Sequence, residues 1–301
     1  MDQTLSRRNL LRLAAVALAT GLPDRLFALA GDPDEERLRD WTATLRAERL
    51  ARSDSPLGRS AVRVGELARG SPYQPGMLDA YLRAGGSPFD KEPLTLSLTR
   101  FDCVTLVESC LAVARVAAGD TPATWEGFGR EVERMRYRGG ERGGYATRLH
   151  YFSEWIADGA ARGLVRDIGQ ELGGVADERP LRFMTEHRGS YPALSDDATF
   201  TAIAAMERSL DARPRMEVPA AHIADVADKI DTGDVLAFAT AIPGLDVTHA
   251  AFAYRDREGV LRVLHAPLSG GVVEVSRLPL PEYVAAIKRA TGVMVGRGSE
   301  Q

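Results

Sequence analysis

A cysteine stands where the sequence predicts the first turn of a buried helix. In the segment 100–108, RFDCVTLVE, Cys103 follows Asp102, a residue type favoured at the position that caps a helix N-terminus. Apolar residues then recur at helical spacing, at 106, 107, 110, 111 and 114. The unpaired N–H groups and the dipole at a helix N-terminus favour negative charge, so we expect a reactive thiol with a pKa below that of a free cysteine. The alternative is a buried structural cysteine, which is the commoner state of free thiols.

Two histidines supply the partners that a nucleophilic thiol needs. His249 and His265 lie in two strand-like segments joined by the segment 255–259, RDREG. If these five residues form a hairpin loop, with Gly259 in the left-handed conformation, Tyr254 faces Val260 and the two histidines are directly opposite each other. A register error of one residue would put them on opposite faces of the sheet.

These three side chains predict acyl transfer from an amide. Cys103 would be the nucleophile, His249 the general base, and His265 the group that holds the ring of His249 in the correct tautomer. His249 would take the thiol proton and return it to the leaving amine, while the backbone N–H of Cys103 stabilises the oxyanion. A zinc site with Asp246 as a further ligand is the rival interpretation. Because the sequence has no HExxH motif, we predict no metal and no cofactor.

The second cysteine cannot form a disulfide with the first on one helix. Cys110 follows Cys103 by seven residues, which is roughly 10 Å along a helix axis. A disulfide needs Cα atoms within about 7 Å of each other. We therefore predict that Cys110 packs in the core and that Cys103 carries the chemistry.

The elements that must position these residues change in character along the chain. Helical patterns precede and follow the cysteine helix, at 31–53, 60–68, 149–156, 196–211 and 217–228. The segment 94–98, LTLSL, alternates like a strand that leads into the cysteine helix. Strands are predicted at 235–239, 247–254, 260–265, 272–275 and 293–295, with a helix at 281–290. Helices followed by meandering strands predict an α+β fold with an antiparallel sheet.

The first thirty residues have the pattern of an export signal. The segment 6–11, SRRNLL, is a twin-arginine motif, an apolar stretch follows at 13–22, and 28–30, ALA, fits a cleavage site. Ten apolar residues are too few for a permanent membrane span. We therefore predict a signal peptide at 1–30, export by the twin-arginine pathway, and a location in the periplasm or cell envelope.

The charge of the remaining chain argues against polyanionic partners. Removing residues 1–30 takes four of 38 basic and two of 42 acidic residues, which leaves 34 and 40 and a net charge of −6. A negative balance of this size disfavours nucleic acid and anionic lipid as partners. About 270 residues can form one full core, so we expect a single domain over 31–301 and a monomer.

Four segments resemble the papain-like, NlpC-type peptidoglycan hydrolases. They are 101–108 (FDCVTLVE), 145–156 (YATRLHYFSEWI), 244–249 (GLDVTH), and 264–267 (LHAP) together with 270–273 (GGVV). Within that superfamily the chain is similar to the N-acetylmuramoyl-L-alanine amidase-like family over about residues 70–297. The resemblance implies a papain-like NlpC-type fold in which the nucleophile helix packs on a C-terminal antiparallel sheet. It also implies helical additions at about 31–93 and 120–228.

The same resemblance implies an activity. The expected reaction is hydrolysis of the amide between N-acetylmuramic acid and L-alanine in murein fragments, with Cys103, His249 and His265 as the catalytic set. Cleavage of the D-glutamyl–diamino acid bond is the alternative reaction within the superfamily. A non-catalytic cell-wall-binding protein and an acyltransferase with the same three residues are further alternatives.

Three residues of the matching segments are expected to border the substrate. Tyr145, Arg148 and Asp246 are predicted to bind substrate, because Arg148 and Asp246 can pair with peptide carboxylates or termini. A structural salt bridge is the alternative for Arg148.

Overall fold

Helices occupy the first part of the chain and strands dominate its C-terminal third. The computed structural model describes residues 32–51, 56–119, 122–267 and 271–299. The predicted export signal, 1–30, lies outside these ranges. Within them the chain has the α+β architecture that the sequence predicts.

The described elements are numbered here in chain order. The α-helices are α1 (Pro33–Ala47), α2 (Leu57–Leu67), α3 (Ala80–Arg83), α4 (Cys103–Ala118), α5 (Trp125–Arg136), α6 (Phe152–Ala161), α7 (Phe183–Glu186), α8 (Asp197–Leu210), α9 (Ile223–Val226) and α10 (Leu280–Ala286). The strands are β1 (Val165–Asp167), β2 (Val175–Asp177), β3 (Arg215–Pro219), β4 (Val235–Thr240), β5 (Val247–Arg255), β6 (Leu261–His265), β7 (Glu274–Val275) and β8 (Ala290–Gly298). Short 3₁₀ turns lie at Arg138–Gly140, Tyr145–Thr147, Arg188–Ser190, Pro192–Ser195, Ala220–His222 and Ala227–Lys229.

The strands form one antiparallel sheet. Their order is β2-β3-β8-β4-β5-β6-β7, and β1 pairs with the C-terminal end of β8. Alternate residues of the central strands enter two different cores. Val235, Ala237 and Phe252 pack against the helices on one face, while Leu236 and Phe238 belong to the core on the other face. The helix α10 covers that second face through Leu280 and Val284.

The helix α4 lies at the centre of the first core. It contacts α1, α2 and α5 as well as β5. Its side chains are buried almost without interruption from Thr105 to Ala114, because helices and sheet enclose it. One of these buried residues is charged: Glu108 accepts a 2.8 Å hydrogen bond from Nε of Arg136 on α5. The pair fixes α5 against α4 without leaving a charge unpaired in the interior.

The predicted strand at 94–98 is wrong. This segment has no regular secondary structure and pairs with no strand in the described residues. Side chains occupy the backbone groups that a strand would use. Leu98 donates its N–H to Asp34 Oδ1 at 2.7 Å and accepts from Arg37 Nη1 at 2.8 Å, and the carbonyl of Thr95 accepts from Arg136 Nη1 at 2.6 Å.

The predicted helix at 217–228 is also wrong in its first part. Its first residues belong to β3, and only the short helix α9 and two 3₁₀ turns follow. The strands β1 and β2 have three residues each and were not predicted, because so short a run leaves no periodic pattern.

Candidate active site

The thiol of Cys103 lies at the first residue of α4. Asp102 caps the helix: its Oδ1 accepts the N–H of Thr105 at 2.8 Å, and Thr105 Oγ1 accepts the N–H of Asp102 at 2.9 Å. This reciprocal pair of hydrogen bonds is a capping box, which fixes where the helix begins. The predicted helix start and its cap are therefore confirmed.

The sulfur is directed to the strand that carries His249. β5 pairs with β6 only from Phe252 to Arg255, so its N-terminal part pairs with β4 alone. There the backbone N–H of Ala250, together with the N–H groups of Cys103 and Val104, lies near enough to the sulfur to lower the pKa of the thiol. Helix and strand thus meet at the thiol.

The expected low pKa of the thiol is not what the structure gives. Burial of the sulfur and the negative charge of Asp102 raise the pKa of Cys103 to about 12, although the three N–H groups act in the opposite direction. Loss of hydration disfavours the charged thiolate more than the helix N-terminus favours it. A thiol with so high a pKa is protonated at neutral pH.

The two histidines form a hydrogen-bonded pair, although the predicted pairing of their strands is wrong by two residues. Tyr254 pairs with Arg262 and not with Val260, so the loop is 256–260, and Gly259 has the expected positive φ of 82°. A shift of two residues keeps both imidazoles on the same face of the sheet. His249 and His265 are therefore diagonal neighbours, and Nε2 of His249 lies 2.8 Å from Nδ1 of His265.

A β-bulge sets the position of His249. Between Phe238–His249 and Ala239–Val247 the register of β4 and β5 shifts, so Thr248 is the extra residue. Such a bulge bends the strand and re-aims the neighbouring side chain. The ring of His249 stacks on Phe238, with ring centroids 5.6 Å apart and planes inclined by 14°.

Both imidazoles are neutral at neutral pH. Burial lowers the pKa of His249 to about 4, and burial together with the charge of His249 lowers the pKa of His265 to about 3. A neutral imidazole keeps a lone pair that can accept a proton. Since His265 pairs with Nε2 of His249, a proton from any other group would have to be accepted at Nδ1.

Cys103 and His249 line one pocket of about 150 Å³. Its remaining walls come from the segment before β5 and from the start of α6 with the residues that precede it. The lining residues are Cys103, Val104, Leu149, His150, Phe152, Trp155, Leu245, Asp246, Val247, Thr248, His249 and Ala250. The pocket is mostly apolar apart from the reacting groups, as is usual for small-molecule sites.

The three predicted substrate-binding residues occupy different positions. Asp246 lines the pocket, but its carboxylate accepts the N–H groups of Ser153 at 2.8 Å and Val247 at 2.7 Å. Arg148 is 5% exposed and forms salt bridges with Asp79 at 2.6 Å and with Glu92 at 3.1 Å. A structural salt bridge is the alternative role that the sequence analysis gives for this residue.

Tyr145 belongs to the same buried group as Arg148. Its side chain is buried, and the guanidinium carbon of Arg148 lies 4.8 Å from its ring centroid. The structure therefore gives Asp246 and Arg148 structural partners, and substrate contact by the three residues stays a prediction.

Sequence reasoning missed two tyrosines beside the site. The hydroxyl of Tyr283, on α10, lies 3.1 Å from Nδ1 of His265. Tyr73 lies near the sulfur: burial and the charge of Cys103 raise its pKa to about 12. Neither residue has a local motif, because a loop and a short helix bring them to the site from distant parts of the chain.

No group of three His, Cys, Asp or Glu side chains within the described ranges is arranged to hold a metal ion. Nor is any helix in that part of the chain long and apolar enough to span a bilayer. Cys103 and Cys110 are both free thiols, and Cys110 is buried, as predicted.

Comparison with known proteins identifies the family. An N-acetylmuramoyl-L-alanine amidase from Bacteroides uniformis has a similar crystal structure, with a TM-score of 0.73, 28% identity, and coverage of 81% of this chain and 99% of that one. A Legionella pneumophila protein with a TM-score of 0.62 is 17% identical and shares the fold, over 88% of this chain and 94% of its own. No curated protein matches significantly. The match to the N-acetylmuramoyl-L-alanine amidase-like family covers residues 63–293, so the chain belongs to that family.

Proposed function

We propose that the chain is a cysteine-dependent peptidoglycan amidase that hydrolyses the amide between N-acetylmuramic acid and L-alanine in murein fragments. The observation that carries the proposal is a pair of hydrogen-bonded histidines, one of which lines the same pocket as a thiol at a helix N-terminus. His249 bonds to His265 at 2.8 Å and lines the same pocket as Cys103. A nucleophile, a base and a group that orients the base are the parts that acyl transfer requires.

The pKa values favour a concerted first step. The thiol is protonated because its pKa is about 12, and His249 is neutral because its pKa is about 4. As the sulfur attacks the carbonyl carbon, the S–H bond breaks and the proton passes to Nδ1 of His249. A preformed thiolate is therefore not needed.

The resulting tetrahedral intermediate carries negative charge on oxygen. The backbone N–H of Cys103 at the start of α4 is the proposed donor to this oxyanion, aided by the dipole of the helix. His249 then returns its proton to the leaving amine, and water hydrolyses the thioester with His249 again as base. His265 holds the ring of His249 throughout.

Mass spectrometry of defined muropeptides tests the reaction. The full chain is incubated with a muropeptide that contains the intact lactyl–L-alanine amide. We expect release of the complete peptide by the wild-type protein and by Cys110→Ala, and none by Cys103→Ala. Cys110 is the matched control, because it is the other free thiol of α4 and is buried away from the pocket.

Each outcome decides the proposal. A peptide shortened at the D-glutamyl–diamino acid bond would support the alternative reaction and overturn the proposed bond. Product formed by Cys103→Ala would overturn cysteine catalysis. Absence of product from every variant, the wild-type protein included, would overturn the amidase activity. EDTA in the assay is expected to leave the rate unchanged, whereas iodoacetamide abolishes it.

We also propose that the chain reaches the periplasm or cell envelope by the twin-arginine pathway. The motif at 6–11 carries this proposal. Replacement of Arg7 and Arg8 together by lysine is expected to leave the longer precursor in the cytoplasm, as seen by fractionation and immunoblotting. Arg12→Lys is the matched control, since it changes a neighbouring arginine outside the motif.

A further inference from the structure

A tyrosine hydroxyl shares the hydrogen bond between the two histidines. Nδ1 of His265 has two partners: Nε2 of His249 at 2.8 Å and the hydroxyl of Tyr283 at 3.1 Å. The ring of Tyr283 meets that of His265 edge-on, with centroids 5.2 Å apart and planes at 89°. It also contacts Phe238 at 5.4 Å, the residue on which His249 stacks. Tyr283 therefore packs against Phe238 and His265, two residues that contact the ring of His249.

The tautomer of this pair decides whether His249 can act as a base. If Nδ1 of His265 is unprotonated, Nε2 of His249 carries the proton and donates it, and Nδ1 of His249 keeps the lone pair needed for the thiol. If Nδ1 of His265 carries the proton, it donates to Nε2 of His249. The proton of His249 then sits on Nδ1, and that nitrogen cannot accept another without first losing its own.

The hydroxyl of Tyr283 distinguishes the two arrangements. Within the described residues Nδ1 of His265 is the one hydrogen-bond partner given to this hydroxyl. Burial, Glu274 and Cys103 raise the pKa of Tyr283 to about 12, so the hydroxyl keeps its proton at neutral pH. It can donate to Nδ1 of His265 only if that nitrogen is unprotonated, and the lone pair of Nδ1 then accepts from both the hydroxyl and Nε2 of His249. In the other tautomer the hydroxyl oxygen accepts from Nδ1–H, and the hydroxyl proton has no acceptor there.

The remaining nitrogen does not reverse this preference. Nε2 of His265 is buried without a partner in either tautomer. In the productive arrangement it is an unpaired donor, and in the other it is an unpaired acceptor while the tyrosine proton is the unpaired donor. Each arrangement leaves one donor unpaired, but the second also leaves an acceptor unpaired, so the balance favours the first.

We propose that Tyr283 is a positioning residue that fixes the tautomers of His265 and His249 so that Nδ1 of His249 is free to take the thiol proton. Its significance for the reaction depends on the proposed cysteine mechanism. No proton leaves Tyr283 or His265 in any step: the S–H bond of Cys103 breaks, the N–H bond at Nδ1 of His249 forms, and that proton later goes to the leaving amine.

Tyr283→Phe tests the proposal, because it removes the hydroxyl and keeps the ring that packs against Phe238 and His265. Nitrogen-15 NMR of the histidine side chains at pH 7 reports directly which ring nitrogen carries the proton. In the wild-type protein we expect protonated Nε2 and unprotonated Nδ1 for His249. In Tyr283→Phe we expect a substantial population of the opposite tautomer.

The kinetic consequence is a loss of kcat without a loss of substrate binding. Removal of one neutral hydrogen bond predicts a decrease of about three- to tenfold in kcat, with KM changed less than about twofold. Tyr254→Phe is the matched control. Tyr254 lies on the same strand as His249, but its hydroxyl donates to Glu66 at 3.0 Å, so we expect no change in histidine tautomer or in kcat.

The NMR measurement needs no substrate, so it separates this inference from the proposed function. Unchanged histidine tautomers in Tyr283→Phe would overturn the proposal even if the wild-type chain is an active amidase. Altered tautomers with an unchanged kcat would equally overturn the role in catalysis. If the wild-type chain shows no amidase activity, the proposed function fails while the tautomer assignment is still decided by the spectra.

Discussion

The charge of Asp102 should hold the reactivity of the thiol down. Asp102 caps α4 and is also the second cause, after burial, of the raised pKa of Cys103. Asp102→Asn removes this charge and keeps an oxygen that can accept the N–H of Thr105. Because asparagine and aspartate are similarly good caps, the helix should begin at the same residue.

The expected change follows from Coulomb's law. For two unit charges taken to be about 6 Å apart, the interaction is roughly 0.7 to 2.8 kcal/mol for an effective dielectric constant between about 80 and 20. This corresponds to a fall of about 0.5 to 2 units in the pKa of Cys103. The thiolate fraction at pH 8 rises in proportion, but nucleophilicity falls with the pKa at a Brønsted slope of about 0.4–0.5. The net result is a rate of alkylation about two- to tenfold faster.

The rate constant for iodoacetamide provides the assay. Alkylation of the Cys103 peptide is followed by mass spectrometry between pH 6 and 10, which separates it from that of the buried Cys110. In the wild-type protein the rate should rise over this range without a plateau, as expected for a pKa of about 12. Asp196→Asn is the matched control: Asp196 caps α8 through the N–H of Thr199 at 2.6 Å, and its removal should not affect the thiol.

Two results would refute this reasoning. A wild-type rate that is already constant above pH 6 would mean a thiolate–imidazolium pair, and the raised pKa of Cys103 would then be wrong. An Asp102→Asn rate equal to that of the wild type and of Asp196→Asn would mean that the carboxylate charge does not act on the sulfur.

Three further predictions concern stability, measured by urea unfolding. Burial lowers the pKa of His249 to about 4, so as the pH falls its imidazole is protonated in the unfolded chain before it is protonated in the folded one. The free energy of unfolding should therefore fall by about 3 kcal/mol from pH 6.5 to 4, and His249→Gln should remove this contribution to the pH dependence. Arg148→Met leaves Glu92 buried without its cation and should cost about 3–5 kcal/mol at pH 7; a cost below 1 kcal/mol would contradict this. Glu207→Gln weakens the 2.6 Å hydrogen bond from Tyr151 and should cost about 1.5–3 kcal/mol, whereas an unchanged midpoint would contradict it.

The parts of the fold that the sequence predicts are those with continuous apolar patterns. The helix after Cys103 has a cap and an uninterrupted apolar stripe, and the strands β4, β5 and β6 are short, mainly apolar runs. The predicted strand at 94–98 fails although its apolar and polar residues alternate, because Asp34, Arg37 and Arg136 occupy its backbone groups. Those side chains come from helices distant in the sequence, so no pattern within 94–98 predicts these hydrogen bonds.

The histidine pair shows why a face can be predicted when a register cannot. Asp256 Oδ1 accepts the N–H groups of Glu258 at 3.0 Å and Val260 at 2.9 Å, so the loop includes both residues and the strands pair two residues away from the predicted register. An even shift conserves the face of every side chain, and two imidazoles on diagonal positions are long enough to meet. The two histidines therefore share a face of the sheet whichever of the two registers the strands adopt.

The charge state of the Cys103 thiol, unlike the face of a strand residue, cannot be predicted from the local sequence, because it depends on what surrounds the sulfur. A helix N-terminus is visible in the sequence and favours a thiolate, but the desolvation that opposes it comes from residues packed around the site from other elements. The same holds for Tyr283, which reaches His265 from α10 on the second face of the sheet. Sequence thus identifies the atoms of the proposed reaction, whereas tertiary packing decides their protonation. The neutral thiol and the neutral, oriented base that the proposed mechanism uses are consequently a property of the folded pocket and not of the motif around Cys103.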